Sequence, residues 1–202
     1  MQDGYKRGGY HPVFVGEVYN DRYVVLRKLG WGHFSTVWMV FDKRLGSSVA
    51  LKVQKSAKHY TEAAQDEIEI LEHLSRKNSG ADMAVVQLLD QFYHCGPHGK
   101  HMCMVFEIMG ENLLSLIKYY EYNGIPLDAV RVIAKQICAG LDYAHRECGL
   151  IHTDLKPENV LLWCVRPAPP LPSLGRPPRS RTPLRTPLVY LANPALAQPP
   201  AT

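Results

Sequence analysis

Ile151-His152-Thr153-Asp154-Leu155-Lys156-Pro157-Glu158-Asn159-Val160-Leu161-Leu162 sets a carboxylate, an ammonium and an amide in one short polar loop, directly before a strand-like apolar run. A carboxylate such as Asp154 can accept a hydroxyl proton or orient the hydroxyl. A lysine such as Lys156 can steady a phosphoryl group in transfer, and the amide oxygen of Asn159 can hold a metal ion. On its own, His-x-Asp is an ordinary polar turn. It becomes diagnostic only if further parts of the same machinery stand upstream in the right order.

Upstream they do. Leu29-Gly30-Trp31-Gly32-His33-Phe34-Ser35-Thr36-Val37 places two glycines between two strand-like runs, with Ser35 where a third glycine often stands. Lacking side chains, Gly30 and Gly32 let the backbone approach a phosphate closely. The strand–loop–strand order excludes a dinucleotide-binding turn, which needs a helix after the loop. Val49-Ala50-Leu51-Lys52 ends an apolar strand on a cation. Lys52 either snorkels to solvent or meets the α- and β-phosphates of ATP. In the helix that follows, at about 100° per residue, Ala63, Ala64, Ile70, Leu71 and Leu74 fall within about 60° of Glu67. Glu67 is then a carboxylate in the middle of an apolar stripe, unless it merely edges it. A buried charge without a partner is costly, and Lys52 is the obvious counter-ion.

Around these motifs, 23–29, 36–41, 48–53, 85–92 and 101–108 read as strands and 60–76 as a helix. The expected fold class is α+β, with a five-stranded antiparallel sheet and one helix in the first ~110 residues. A short helix is expected over 112–120, and a longer one opens at Pro126. Along it Leu127, Val130, Ile133, Ala134, Ile137, Leu141 and Ala144 make a wide apolar face. The domain reading is an extension over 1–22, a first lobe and hinge over 23–109, part of a helical lobe over 110–162, and a disordered tail over 163–202. The tail holds 11 of the 15 prolines and five arginines, with no Asp or Glu.

The net charge of +4 comes from that tail; the first 162 residues carry 18 basic and 19 acidic side chains. No nucleic-acid binding is expected from so neutral a body. No stretch approaches the apolar length of a membrane span, so no membrane association is expected. Five cysteines with no CxxC spacing point away from a disulfide framework or a zinc site.

With these parts in order, residues ~20–162 resemble a eukaryotic-type protein kinase. Leu29, Gly30, Gly32 and Val37 match its glycine-rich loop, and Lys52 and Glu67 its strand lysine and helix glutamate. Phe106-Glu107-Ile108-Met109 looks like the gatekeeper and hinge. Ala50 and Leu161 resemble the lining of the adenine site. Asp154 matches the catalytic base, Lys156 the catalytic-loop lysine, and Asn159 the metal-binding asparagine. Within that superfamily, Gly8-Gly9-Tyr10-His11-Pro12-Val13, Arg27-Lys28-Leu29-Gly30-Trp31-Gly32-His33-Phe34-Ser35-Thr36-Val37-Trp38 and Lys55-Ser56-Ala57-Lys58-His59-Tyr60-Thr61-Glu62 resemble the SR-protein-specific kinases. Thr153 in place of the usual arginine is a mark of that family, and implies activity that does not wait for activation-loop phosphorylation. The resemblance implies a serine/threonine kinase using ATP and Mg²⁺, acting on Arg-Ser-rich splicing factors in cytoplasm and nucleus.

The sequence departs from the pattern after Glu158, beyond which no Asp or Glu occurs. The Asp-Phe-Gly segment, which supplies the other metal-binding carboxylate, is therefore not among these residues. The expectation is a truncated, inactive or weakly active form, with a non-catalytic nucleotide- or partner-binding fragment as the alternative. Two further expectations attach to particular segments. The apolar face opening at Pro126 would favour aggregation if left uncovered. Arg179-Ser180-Arg181-Thr182-Pro183 resembles an Arg-Ser substrate.

Overall fold

Val, Leu and aromatic residues at alternate positions commit the first half of the chain to strands. A computed structural model describes residues 4–76, 84–163, 188–191 and 196–197. The chain divides into two units, Met1–Ser79 with Val86–Ile108, and Gly80–Val85 with Met109–Thr202.

The first unit is an antiparallel sheet in the order β1-β2-β3-β4-β6-β5 with one helix. Its strands are β1 (Val18–Tyr19), β2 (Tyr23–Trp31), β3 (Ser35–Asp42), β4 (Ser47–Gln54), β5 (Leu88–Gly96) and β6 (Gly99–Glu107). The helix α1 spans Lys58–Arg76. Five strands were expected. The sixth, β1, is two residues long and folds back on β2 through Asn20 and Asp21, both in the left-handed region at φ 50° and 53°. Asn and Asp tolerate that region, so the turn forms without glycine. The fifth strand starts at Leu88 rather than 85.

The two faces of the sheet are packed differently. One buries Tyr23, Val25, Trp38, Val40, Val49, Leu51, Val53, Cys103 and Val105. The other receives α1, whose Ala64 and Ile68 pack on Met102 and Met104. Full burial of side chains such as Leu51 and Val40 stabilises by about 1.5–3 kcal/mol each. The sheet curls until its edges meet: Tyr23 on β2 stacks on Phe92 of β5 at 5.6 Å, and Arg22 reaches Asp90 at 3.2 Å. Residues of the expected extension belong to this unit. Backbone bonds join Gly8 to His98 and Ala57, and Gly9 to Ser56.

The second unit holds α2 (Leu113–Tyr119), α3 (Leu127–Asp142) and the short strands β7 (Ile151–His152), β8 (Val160–Trp163), β9 (Leu188–Leu191) and β10 (Leu196–Ala197). Asn112 caps α2 by accepting the Ser115 N–H at 2.9 Å. Pro126 stands just before the first helical residue of α3. A wider turn at Tyr143–Glu147 continues α3. Ile133 and Val160 are buried with Leu113, Leu116, Ile137, Leu141 and Leu162 packed on them. Ala144 is buried too, but the start of the expected apolar face is open: Leu127 is 62% and Val130 40% exposed.

The disordered tail is corrected at seven residues: Trp163 ends β8, and six more form β9 and β10. β9 pairs antiparallel with β8, Val160 opposite Leu191, and β10 pairs with β7, Leu196 opposite His152. The physical reason is that β8 bonds segment 110–112 on one side only; its other edge needs backbone partners. Leu188-Val189-Tyr190-Leu191 is free of proline and rich in strand-forming residues, so it can supply them. The remainder of 163–202 after Trp163, including Arg179–Pro183 of the expected Arg-Ser-like stretch, lies outside the described residues. Among the described residues, no helix is long and apolar enough to cross a membrane.

Candidate active site

The sheet register places most of the first-unit candidates on two adjacent rows. Gly30, Val37, Lys52 and Met104 lie directly opposite one another across β2, β3, β4 and β6. Ala50 and Phe106 form a facing pair in the next row of the same face. Residues opposite each other on neighbouring strands share a face, as do those two apart on one strand. Gly30, Val37, Ala50, Lys52 and Phe106 therefore look out on one side, the side that carries α1.

Lys52 bonds both Glu67 oxygens, at 2.7 and 2.6 Å. The side chains are 17% and 13% exposed. The helix face, however, is rotated from the expected one. Ala64, Ile68, Leu71 and Leu74 are buried, whereas Ala63 is exposed and Ile70 only half-buried. The buried face centres about 45° round from Glu67 toward Ile68. Glu67 thus stands at the margin of the apolar stripe, where a carboxylate can reach a strand cation without crossing the core.

The glycine-rich turn is closed by Gly32 N–H on the Ser35 carbonyl at 2.9 Å. Neither Gly30 nor Gly32 has a positive φ, and a Cβ on either would meet nothing within 4 Å. Backbone strain and packing by the described residues therefore do not require glycine here. What remains is room for an outside group to approach the backbone. Leu29 beside them is 37% exposed. The Tyr10 hydroxyl donates to the Gly32 carbonyl at 2.7 Å, with the His33 carbonyl at 3.3 Å. Lys55 sits over the Tyr10 ring at 4.4 Å. Sequence reading took Tyr10 only as part of a family-like stretch and gave it no role at the site, because a lone tyrosine in an extension carries no spacing signal. Glu107 is raised above the usual carboxylate range by burial, and its Oε1 accepts the Gln87 N–H at 3.0 Å.

Met109, Leu161, Asp154, Lys156 and Asn159 belong to the second unit. The loop between β7 and β8 turns through Pro157–Asn159. Lys156 Nζ lies 2.9 and 2.7 Å from the two Asp154 oxygens. Asn159 Nδ2 donates to the Asp154 carbonyl at 2.8 Å and its carboxylate at 3.0 Å. The Asp154 N–H donates to His152 Nδ1 at 3.2 Å. These bonds, Lys156 first and then Asn159, hold the Asp154 carboxyl below its ordinary range. Asp154 is a carboxylate at neutral pH, able to accept a proton. Leu161 follows on β8, bridged to Asn112.

Asn159 fits the metal-holding role by its chemistry. With its Nδ2 committed to Asp154, its Oδ1 is the remaining donor, a hard oxygen of the kind Mg²⁺ takes.

Residues 23–165 match the protein kinase domain family. Serine/threonine-protein kinase SRPK of Physarum polycephalum is 60% identical over 161 residues, which are 79% of this chain and 38% of that protein. The chain belongs to the protein kinase family, in its SR-protein-specific branch. Serine/threonine-protein kinase SKY1 of Saccharomyces cerevisiae is 54% identical over 164 residues, covering 78% of the chain and 22% of that kinase. SRSF protein kinase 3 of Homo sapiens is 52% identical over 164 residues, covering 80% and 29%. The chain therefore spans 38% or less of the length of each of these kinases. Protein kinases generally use ATP and Mg²⁺.

Proposed function

We propose that this chain carries the nucleotide-binding residues and catalytic loop of a serine/threonine kinase that phosphorylates serines in Arg-Ser-rich splicing factors. The observation that carries the reading is the Asp154–Lys156–Asn159 cluster, a depressed carboxylate flanked by a cation and an amide oxygen. In the proposed transfer a substrate serine Oγ forms a bond to the ATP γ-phosphorus, the bond from that phosphorus to the β–γ bridging oxygen breaks, and ADP leaves. Asp154 orients the serine hydroxyl and takes its proton. Lys156 turns from Asp154 to the phosphoryl oxygens as charge builds there. Lys52, held by Glu67, neutralises the α- and β-phosphates, and the backbone at Gly30 and Gly32 covers them. Bound Mg²⁺, held in part by Asn159 Oδ1, would supply further neutralisation of phosphate charge.

Leu29, Val37, Ala50, Phe106, Met109 and Leu161 are proposed to line the adenine site, with Glu107 in the hinge. The same proposal places the protein in cytoplasm and nucleus, without direct nucleic-acid or membrane binding. A second reading, a non-catalytic nucleotide- or partner-binding module, is favoured by one feature: after Glu158 no carboxylate side chain occurs in the 202 residues. Residues 1–202 by themselves are accordingly expected to transfer phosphate weakly.

Two measurements test this. ATP should raise the melting midpoint of the chain, and Lys52→Ala should remove the rise. No rise in the unmodified chain would sink nucleotide binding. Incubation with ATP, Mg²⁺ and an Arg-Ser peptide should give slow serine phosphorylation that Asp154→Asn lowers about 100-fold or more. Transfer undiminished by Asp154→Asn would overturn the assigned base. ATP stabilisation with no transfer would favour the second reading.

A further inference from the structure

A cluster of imidazoles lies where the two edges of the first-unit sheet meet, outside the site described above. His11, from the loop before β1, is 3% exposed, and neither of its ring nitrogens has a hydrogen-bond partner. Its ring lies 4.6 Å from that of His94 on β5 and 5.0 Å from that of His101 on β6. His94 and His101 are themselves cross-strand partners. Glu17, just before β1, directs Oε2 to the Phe14 N–H and the Tyr19 hydroxyl, both at 3.1 Å. Its other oxygen faces His11 Nε2 at 4.0 Å, too far for a hydrogen bond. The ligating atoms of His11, His94 and Glu17 all lie within 4.8 Å of one another.

Buried imidazole nitrogens normally find a partner, and His11 leaves two without one. His101 adds a third. Its Nδ1 lies 2.8 Å from the Gln54 carbonyl, which can only accept, so Nδ1 carries the proton and Nε2 is a bare lone pair. That Nε2 is buried and unpartnered. A carbonyl fixing one nitrogen while the other stays bare is the arrangement that prepares a histidine as a ligand. We propose that His11, His94 and Glu17 form a site for one divalent transition-metal ion of the zinc class, with His101 beside them as a further nitrogen donor.

Two imidazoles and a carboxylate suit such an ion better than Mg²⁺ or Ca²⁺, which prefer oxygen donors. Bonds of roughly 2.0–2.1 Å set ligand atoms about 3.3 Å apart, so the cluster must draw in on the ion. Glu17, at 30% side-chain exposure, has freedom to do so. Burial, then the neighbouring His94, His101 and His98, push the His11 imidazole down to about 4. Burial lowers His94 and His101 as well. Neutral imidazoles are the ligating form. His94 sits on β5, and His11 and Glu17 on the segment leading into β1, where the Glu17 carbonyl accepts the Val25 N–H of β2 at 2.9 Å. A bound ion would tie the two sheet edges together.

The test uses the whole chain, stripped with a chelator and titrated with Co²⁺ and Zn²⁺. One Co²⁺ per chain should bind with visible d–d absorption and no thiolate charge-transfer band. Zn²⁺ should raise the melting midpoint. Glu17→Gln should weaken Co²⁺ binding at least 10-fold, His94→Leu should abolish it, and Asn159→Ala should leave it intact, which separates this site from the catalytic loop. No absorption and no rise in midpoint would overturn the proposal and leave ordered water among the nitrogens. A thiolate band, or binding indifferent to both Glu17→Gln and His94→Leu, would overturn it equally.

Discussion

Glu67 stands beside a core it could not enter alone, and that location sets what its partner must do. Lys52 satisfies both carboxylate oxygens while the pair keeps some solvent contact. Lys52→Met would leave Glu67 partly buried and uncompensated. The expected loss is about 2 kcal/mol, below the range for fully buried pairs, read as a lower urea midpoint of the chain. Lys52→Met with Glu67→Gln should recover part of it; no recovery would show that packing of the lysine stem, not charge, sets the loss. Tyr10 acts on the other ligand-facing segment. Removing its hydroxyl with Tyr10→Phe frees the exposed Gly32 carbonyl, which water can then bond, so the fold itself loses little. If that bond holds the glycine-rich turn for nucleotide, ATP affinity should fall about five-fold, measured by calorimetry, with little change in melting midpoint. Unchanged affinity would make Tyr10 a structural contact only. The pair Lys52–Glu67 was legible in the sequence because a carboxylate close to an apolar stripe needs a counter-ion, although the stripe itself lies about 45° from where the sequence put it. Tyr10 was not, since an extension residue is positioned by bonds to backbone, and backbone leaves no trace in composition.

Among the elements, β8 shows where a compositional reading fails. Proline and arginine density argued for disorder across 163–202, but the tail's strand run answers to an unpaired edge elsewhere in the chain. The five long strands and three helices were legible from period and turn residues, to within a few residues at their ends. β1, β7, β9 and β10 were not, because strands so short and without an apolar run ahead of a motif exist only through their partners. The β8 ladder gives a direct check. The Leu162 N–H bonds the Glu111 carbonyl at 2.9 Å, so the N–H groups of Leu161 and Trp163, alternating with it, face β9. Deleting 188–202 should speed amide exchange at Leu161 by at least 10-fold while Leu162 stays protected, read by NMR hydrogen exchange. Equal protection of Leu161 in both forms would mean that β9 does not hold that edge. Because Asp154 and Asn159 hang between β7 and β8, the same deletion should loosen their mutual bonds.

At the scale of the molecule, the closure of the first-unit sheet rests on a charge network that sequence reading did not join. Arg22 in the β1–β2 turn bonds Asp42 at the end of β3 through Nε at 2.8 Å and Nη2 at 2.6 Å, and reaches Asp90 on β5. The Tyr23 hydroxyl donates to the same Asp90. Sixty-seven or more residues separate Asp90 from these partners along the chain, so no local spacing could reveal them, and the same distance hid the His11–Glu17–His94 cluster. Asp42 is fully buried, and the Arg22 guanidinium, with the N–H groups of Arg44 and Leu45, brings its carboxyl from 3.8 down to about 2. The unfolded chain therefore takes up this proton first as pH falls. Stability from Asp42 is fully present above about pH 4 and is lost as pH falls toward about 2. Asp42→Asn should destabilise the chain at pH 7, leaving Arg22 short of its bidentate partner. The gap between the urea midpoints of the two forms should then narrow steadily between pH 4 and pH 2.5. Comparing the two forms cancels carboxylates common to both, so the narrowing reports Asp42 itself. A gap that stays constant across that range would show that the Arg22–Asp42 contact is not what joins β3 to the turn, and that the sheet edges are held by the Tyr23–Phe92 stack instead.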